Sequence, residues 1–289
     1  MLENTHLKFE VLFCETSILK NVKCFSYKTV MELVSHLDQR INTKLYQAFR
    51  KNLVPFFRDF LKFSEYSEME ILNIAGILDT NCFEIILPSS KIRARGIYPI
   101  TAMMSHECIP NTKHFVDENL KMKVIACSLI RKGEMILTSY THPLKTTVER
   151  RYQLKEAKCF DCLCSRCEDP TEMKTFASGL KCVECKSGVV LSTDPLNSLA
   201  EWKCLECIRK ISAKQALTAL NNARMKLETI NKRSVEECEN YLKEFEMILA
   251  PSSVFMIDVK YALSLLYGNV TGFMMEGEFE GRKNSSFER

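Results

Sequence analysis

The hydrophobic residues in the first part of the chain recur with the period of an α-helix. Between Thr29 and Phe63 they follow three- and four-residue steps, which place them on one helix face. Pro55 is expected to end or kink this run, because a proline ring clashes with the preceding helical turn. Ser67 and Glu70 have the spacing of a capping box and predict a second helix, whose inward face carries Leu72, Ala75 and Leu78. We interpret this region as helical core without chemistry of its own.

After Asn81 the pattern changes to short apolar segments typical of strands. The run CFEIIL predicts a strand and KIRARGIYP predicts a loop. KHFV and KMKVIACSLI predict two strands joined by a turn, and RKGE predicts a turn before the short strand MILTSY. Thr146 and Glu149 predict another capping box, at the start of a basic helix. The charges of this helix are expected to form a solvated face: Lys145, Arg150, Arg151, Lys155 and Lys158.

The last part of the chain returns to a helical pattern. ALTALNNARMKLETINK and VEECENYLKEFEMIL predict two amphipathic helices, and IDVKYALSLLYG predicts the start of a third. Pro251 is expected to end the second helix. Paired antiparallel helices of the solenoid type fit this spacing, although the sequence shows no 34-residue repeat. The polar tail GRKNSSFER is expected to fray.

Composition narrows the class of protein. With 289 residues, 46% hydrophobic and 26% charged, the chain has the make-up of an ordinary globular protein with a sizeable core. The net charge of +4 is too small and too scattered for a nucleic-acid footprint, so no nucleic-acid partner is expected. There is no membrane-length apolar run and no signal-peptide pattern at the start, so no membrane association is expected. We expect an intracellular protein of the nucleus, the cytoplasm or both.

Eight of the fourteen cysteines have the spacing of metal ligands, and structural disulfides are rare in reducing compartments. CVEC and CLEC are separated by 18 residues, which suits a small hairpin that closes both pairs around one ion. A shell of four thiolates leaves no position for water, so the predicted zinc ribbon is structural. Trp202 is expected to pack against this ribbon. Its ligands are Cys182, Cys185, Cys204 and Cys207.

The triplet Cys162, Cys164 and Cys167 also has metal-ligand spacing but lacks one ligand. Cys159 is near in sequence, and Cys108 in the segment SHECIPN is the other candidate; spacing alone does not choose between them. A Cys108 ligand would lock SHECIPN beside the triplet. The cysteines outside metal-like spacings are expected to be buried or idle free thiols. They are Cys14, Cys24, Cys82, Cys127, Cys159 and Cys238.

Three segments together resemble the signatures of SET-domain lysine methyltransferases, in particular the SET–MYND (SMYD) family. SHECIPN resembles that family's Asn-His-Ser-Cys-x-Pro-Asn motif, RKGEMILTSY its closing strand, and CFDCLCSRC its post-SET zinc segment. DPTE and the additional zinc ribbon resemble the arthropod branch. The resemblance covers roughly residues 29 to 210, and weakly the helices beyond.

The resemblance implies an α+β fold and a division of the chain into five parts. The fold would be the C-terminal part of a SET β-fold with a helical insert, a post-SET zinc site, an additional four-cysteine zinc ribbon and a tetratricopeptide-like α-helical C-terminal region. We predict the helical insert at 1–80, the C-terminal half of the SET core at 81–142, the post-SET segment at 143–175, the zinc ribbon at 176–210 and an incomplete helical domain at 211–289.

The same resemblance implies S-adenosylmethionine as cofactor and a protein substrate that presents a lysine. Tyr140 would lie at the methyl-transfer point, Asn81 and His106 would contact the cofactor, and Phe160 would stack on its adenine. Ser105 stands where the family has asparagine, so its contact would be lost or bridged by water. Cys108 would complete the post-SET zinc site. Simpler interpretations of these residues stay open. Tyr140 could be an ordinary strand residue, His106 a core histidine, and Phe160 a residue that only packs against the zinc knuckle. His114 and His142 are expected at exposed strand or loop positions.

The chain departs from the family in its first part. None of the nine glycines precedes the helical insert and none forms Gly-x-Gly, the turn that lets the backbone approach the cofactor. Cys14 and Cys24 stand alone and do not form a MYND zinc module. We therefore expect that the N-terminal SET portion is lacking and that activity of the chain alone is impaired. The alternative is a catalytically inactive, zinc-stabilised scaffold that binds protein partners through its C-terminal helices.

Overall fold

The computed structural model describes residues 25–86 and 92–270 of the chain. The chain divides into two compact units, the first comprising Met1–His142 and Arg150–Cys164 and the second Pro143–Glu149 and Ser165–Arg289. Cys14, Cys24 and the tail GRKNSSFER lie outside the described residues. Within the described ranges, no helix combines the length and the apolar character that a membrane crossing requires.

The helical run predicted between Thr29 and Phe63 is helical but interrupted. His36 adopts a left-handed conformation with φ of 53°, and Thr43 caps a new helix by accepting a hydrogen bond from the amide of Tyr46 at 3.2 Å. The helix continues through Pro55, with π-helical turns before and after it, because wider turns accommodate a residue that lacks an N–H. The elements are α1 (Phe25–Met31), α2 (Leu37–Arg40), α3 (Lys44–Ala48) and the π-helical segments Phe49–Leu53 and Phe56–Phe60.

Helix α4 (Glu68–Asn81) confirms the predicted capping box. The Ser67 hydroxyl accepts from the amide of Glu70 at 3.2 Å, and the Ser67 amide donates to the Glu70 carboxylate at 2.9 Å. Leu72, Ala75 and Leu78 are buried, as the helical period predicts, and pack in one apolar cluster with the π-helical segments. This cluster is the core of the first unit.

The strands of the first unit form three separate two-stranded sheets. In the first, β1 (Cys82–Ile86) pairs antiparallel with β2 (Arg93–Ile97), so the predicted loop at KIRARGIYP is wrong. The arginines of β2 make the segment look like a loop in the sequence, but Arg93 is exposed and Arg95 donates to the carbonyl of Asp79 at 3.0 Å, so a half-buried strand accommodates both. After the short helix α5 (Pro99–Ala102), β3 (Ser105–His106) pairs parallel with β6 (Leu137–Thr138), and the predicted hairpin is confirmed as β4 (Thr112–Val116) and β5 (Met122–Ala126).

Helix α6 (Thr147–Lys158) begins at the predicted capping box, in which the Thr146 amide donates to the Glu149 carboxylate at 2.8 Å. The solvated face predicted for the basic residues is wrong at four of the five positions. Arg150 is fully buried, Lys145, Arg151 and Lys158 are partly buried, and Lys155 is exposed. Arg150, Leu154 and Lys158 follow four-residue steps on one helix face, so the helical period itself places both basic residues beside the buried Leu154.

Between residues 165 and 270 the second unit combines a small sheet with one short and three longer helices. The strands lie in the order β10 (Lys210–Ile211), β9 (Trp202–Cys204), β8 (Val189–Ser192) and β7 (Leu180–Lys181), all antiparallel. Trp202 is buried in the same cluster as Cys182 and Cys204, as expected. The short helix α7 (Ser165–Glu168) precedes the sheet, and α8 (Ala213–Thr229), α9 (Val235–Phe245) and α10 (Val254–Leu266) follow it. Helix α9 ends at Phe245, so the prediction that Pro251 ends this helix is wrong. Likeness to tetratricopeptide repeats stays a prediction.

Candidate active site and metal centres

The four predicted ribbon cysteines converge at one point of the small sheet. The sulfur atoms of Cys182 and Cys207, and of Cys185 and Cys204, are each 3.7 Å apart, and all four lie within 4.8 Å of one another. A tetrahedral zinc ion with bonds of about 2.3 Å places its sulfur ligands about 3.8 Å apart. A Cβ at Gly188 would lie 2.5 Å from the sulfur of Cys204, so the loop closes this tightly only with glycine there. These residues therefore fit Zn²⁺.

The cysteine triplet is completed by Cys108 and not by Cys159. The sulfur atoms of Cys108, Cys162, Cys164 and Cys167 lie within 4.8 Å of one another, and those of Cys108 and Cys162 are 4.0 Å apart. Cys159 is outside this group and has a left-handed φ of 56°, which turns the chain after α6. The structure thus groups Cys108 with the triplet, and this second group also fits Zn²⁺; that it binds the ion stays a prediction. Cys82, Cys127, Cys159 and Cys238 are free cysteines outside both groups.

A cleft of about 590 Å³ lies in the first unit beside the SHECIPN segment. This volume is in the range of small-molecule sites. All five residues that the resemblance assigns to catalysis and cofactor binding line it: Tyr140, Asn81, Ser105, His106 and Phe160. The structure thus brings these residues together from α4, β3, the segment after β6 and the segment after α6.

His106 and Tyr140 are adjacent because β3 pairs with β6, with His106 opposite Thr138. The Tyr140 amide donates to Nδ1 of His106 at 3.0 Å, so Nε2 carries the proton and donates to the sulfur of Cys108 at 3.3 Å. Burial lowers the pKa of His106 to about 4, consistent with a neutral ring. The Tyr140 hydroxyl donates to the carbonyl of Met104, and burial raises its pKa above the usual value, which keeps it protonated.

Phe160 and Lys158 reach the cleft from the end of α6. The rings of Phe160 and His106 have centroids 5.9 Å apart and are tilted by 52°. The ammonium of Lys158 donates to the carbonyl of Thr80 and lies 5.0 Å from the centroid of the Tyr140 ring. Burial is the main cause that lowers the pKa of Lys158. Sequence reasoning missed Lys158, although its position four residues after the apolar Leu154 places it on the inward face of the helix.

Asn81 and Ser105 line the cleft in different ways. The amide nitrogen of Asn81 donates to the carbonyls of Val34 at 2.9 Å and Ile77 at 2.7 Å, which leaves its carbonyl oxygen as an acceptor. Ser105 is exposed and pairs with Leu137 in the strand register.

His114 is a second residue that sequence reasoning places wrongly. The sequence predicts an exposed strand position, but the residue is half-buried on β4 and lines the cleft. Its Nδ1 lies 3.1 Å from the Thr138 hydroxyl, and its ring meets the Phe83 ring edge-on at 5.2 Å. His142 is exposed, as predicted. The alternation along β4 does contain the signal for His114, since Thr112, two residues earlier on the same strand face, is buried.

Similarity to known proteins agrees with these features. The chain is 31% identical over 236 residues to the SET domain-containing protein SmydA-8, isoform A, of Drosophila melanogaster, which covers 77% of this chain and 50% of that protein. It is 27% identical over 190 residues to the histone-lysine N-methyltransferase ASHR1 of Arabidopsis thaliana, covering 63% of this chain and 38% of that protein. It is 30% identical over 142 residues to the N-lysine methyltransferase SMYD2 of Mus musculus, covering 48% and 32%. No protein-family model matches the chain.

The chain spans about half the length of the two SmydA-8 isoforms that it matches. The motifs quoted above, the two groups of four cysteines and these relatives agree on one family. The chain belongs to the SET–MYND (SMYD) family and is similar to an arthropod branch of it.

Proposed function

We propose that this chain carries the methyl-transfer tyrosine of a SET-type protein-lysine methyltransferase that uses S-adenosylmethionine. The observation that carries the proposal is the convergence of Tyr140, His106 and Phe160 on one cleft, next to a set of thiols that fits zinc. The relatives named N-lysine or histone-lysine methyltransferases support a protein substrate that presents a lysine. We place the protein inside the cell, in the nucleus or the cytoplasm.

The residues of the cleft fit the cofactor. When bound, S-adenosylmethionine supplies a methyl group on a positively charged sulfur. Phe160 offers an aromatic face for the adenine, and the carbonyl oxygen of Asn81 is an acceptor for an N–H group, because its amide nitrogen is already engaged. His106, held neutral by burial, and Ser105 provide further polar contacts, the latter directly or through water.

Tyr140 is the residue that we place at the methyl-transfer point. Its hydroxyl is protonated and held in place by the carbonyl of Met104, so it keeps a fixed position with an oxygen lone pair available to a substrate amine. Holding the amine in line with the methyl group and the sulfur is the main catalytic demand of such a transfer. The post-SET zinc would hold Cys108, and through it the neighbouring His106, in the orientation that Tyr140 requires.

The relatives are about twice as long as the aligned region, so the activity of a whole protein is a proposal for this chain. We expect the 289-residue chain by itself to bind S-adenosylmethionine weakly and to methylate slowly, because a glycine-rich turn that would approach the cofactor is not found in its sequence. Calorimetry that gives a micromolar dissociation constant for S-adenosylmethionine would contradict this expectation.

The test of the proposed function is methyl transfer from labelled S-adenosylmethionine to a mixture of histone and cytoplasmic proteins. Tyr140→Phe removes the hydroxyl at the proposed transfer point, and Tyr152→Phe removes one from an exposed position on α6. We expect a loss of at least about tenfold for Tyr140→Phe and none for Tyr152→Phe. Equal methylation by wild type and Tyr140→Phe would remove Tyr140 from this role.

One observation favours the alternative of an inactive interaction scaffold. The first unit exposes several large apolar side chains, among them Ile100 and Leu129, which are 78% and 77% exposed. Exposed apolar side chains bind other proteins where they form one contiguous patch. The scaffold would bind neither S-adenosylmethionine nor its product, and Tyr140→Phe would not change its partner binding.

A further inference from the structure

Lys158 brings a positive charge into the candidate cofactor cleft. It is the last residue of α6, and its ammonium donates to the carbonyl of Thr80 inside the cleft. The same ammonium lies 5.0 Å from the centroid of the Tyr140 ring. A cation within about 6 Å of an aromatic centroid is attracted by the negative face of the ring. Lys158 therefore occupies one face of the proposed catalytic tyrosine.

The charge of Lys158 is compensated in part by Asp79, which acts to raise the pKa of the lysine, while Arg95 and Arg40 act to lower it. Both arginines pair with Asp79, Arg40 at 2.6 Å and Arg95 at 3.6 Å, so its carboxylate is shared among several cations. Glu84, which lines the cleft, pairs with Arg93 at 3.2 Å. Among residues 25–86 and 92–270, no ion pair joins Lys158 to a carboxylate. A carbonyl oxygen and the Tyr140 ring face are thus the contacts that hold the ammonium.

An additional cation in this cleft would meet Lys158 at short range. Like charges a few ångströms apart repel strongly where water is partly excluded. Lys158 is partly buried, so water is partly excluded from its ammonium, and the same burial lowers the pKa of the lysine. A neutral ligand group would meet no such repulsion.

S-adenosylmethionine and S-adenosylhomocysteine differ only at the sulfur atom. The first has a methyl group and a positive charge there, and the second is a neutral thioether. We propose that Lys158 is a specificity-determining residue of the cleft, whose ammonium on the Tyr140 ring disfavours the sulfonium cofactor and leaves the neutral thioether product unaffected. This inference rests on the proposed function, since it takes Tyr140 as the transfer point.

A different role for Lys158 makes a different prediction. Both ligands carry the same carboxylate, and a lysine that bound this group would contribute equally to the two affinities. The ratio of the two dissociation constants therefore separates a charge selector from a carboxylate anchor. Lys158→Met removes the charge but keeps the length of the side chain, so a change in this ratio reports the charge and not the space for the methyl group.

The experiment is calorimetric titration of the 289-residue chain with each ligand at one ionic strength. We expect wild type to bind S-adenosylhomocysteine about tenfold or more tightly than S-adenosylmethionine. Lys158→Met should bring the two constants within about threefold by tightening the S-adenosylmethionine complex, and Lys158→Arg should keep the wild-type preference. Lys155→Met is the matched control, because Lys155 is an exposed lysine of the same helix, paired with Asp161 at 3.0 Å. It should leave the ratio unchanged.

The outcomes separate this inference from the proposed function. An unchanged ratio in Lys158→Met, or an equal loss for both ligands, overturns the charge selector while the cleft remains a cofactor site. If neither ligand binds wild type or any variant at millimolar concentration, the cleft is not a cofactor site and both proposals fall. Zinc content and near-ultraviolet circular dichroism check that each variant is folded, and Lys158→Gln replaces Lys158→Met if the latter does not fold.

Discussion

The backbone amide of Tyr140 donates a hydrogen bond of 3.0 Å to Nδ1 of His106, and the two rings have centroids 5.1 Å apart. This bond assigns the proton of the imidazole to Nε2, which donates to the sulfur of Cys108. One histidine thus connects the candidate catalytic tyrosine with a ligand of the candidate zinc site. Such bonds orient both partners and raise the cost of moving either one.

Replacement of His106 is expected to affect both zinc binding and methyl transfer. His106→Ala leaves the Tyr140 amide without its acceptor and the Cys108 sulfur without its donor, so we expect zinc to dissociate faster and methyl transfer to fall about tenfold or more. The rate of zinc release to a chromogenic chelator measures the first effect, and the assay with labelled S-adenosylmethionine measures the second. His142→Ala, at an exposed position, is the control. Unchanged zinc release in His106→Ala would show that the contact with Cys108 contributes nothing.

The stoichiometry of zinc tests the choice between Cys108 and Cys159. We expect two zinc ions per chain, one for each group of four cysteines. Cys108→Ser should lower the content to about one, because three thiolates and a hydroxyl hold zinc much more weakly. Cys159→Ser should keep both ions, since Cys159 belongs to neither group. Plasma emission spectrometry on purified protein measures the zinc content. A loss of one ion in Cys159→Ser would contradict the assignment of Cys108 as the fourth ligand.

The zinc ribbon is expected to be sensitive to a single methyl group at Gly188. A Cβ there would lie 2.5 Å from the sulfur of Cys204 and 2.9 Å from that of Cys185, so Gly188→Ala must displace a ligand. We expect zinc affinity of the ribbon to fall and the thermal midpoint of the second unit to decrease. Competition with a chelator and thermal unfolding measure the two effects. Ser187→Ala, at the preceding exposed residue, is the control. Wild-type zinc affinity in Gly188→Ala would show that the loop relaxes without loss.

The pair of Glu149 and Arg224 predicts a pH-dependent stability of the second unit. Partial burial acts to raise the pKa of Glu149, but the 2.5 Å bond from Arg224 and the bonds from Thr146 outweigh it, so the net pKa is lowered. A lowered carboxyl pKa stabilises the folded state at pH values above the unfolded pKa, and this contribution is lost as the pH falls through the folded pKa. We expect Glu149→Gln to cost about 1 kcal/mol of unfolding free energy at pH 7.

The difference in unfolding free energy between wild type and Glu149→Gln should shrink progressively as the pH falls below 4.5, the ordinary pKa of a glutamate side chain. Urea unfolding at several pH values between neutral and acid measures it. Glu156→Gln changes the same charge at an exposed position of the same helix and should leave the unfolding free energy unchanged. A Glu149→Gln effect that is constant with pH would show that the carboxylate acts through packing and not through its charge.

The elements that the sequence predicts well are those that depend on residues close together in the chain. Both capping boxes, at Ser67 and at Thr146, are formed as their spacing predicts, and the hairpin of β4 and β5 follows its alternation. The sequence does not predict the strand β2, because its arginines are typical of a loop and only its pairing with β1 makes it a strand. The helical period before Phe63 predicts helix, but it does not predict the interruptions at His36 and Thr43.

The sequence by itself determined seven of the eight candidate metal ligands through their spacing, and its resemblance to a family indicated the residues of the candidate site; the eighth ligand stayed open between Cys108 and Cys159. Only the tertiary structure decided that Cys108 and not Cys159 joins the triplet, that Arg150 is buried, and that Lys158 lies on the ring of Tyr140. These are contacts between residues distant in the chain, which depend on how strands and helices pack. The helical period places Lys158 on the face of the buried Leu154, but only the packing of the first unit brings its ammonium to the ring of Tyr140.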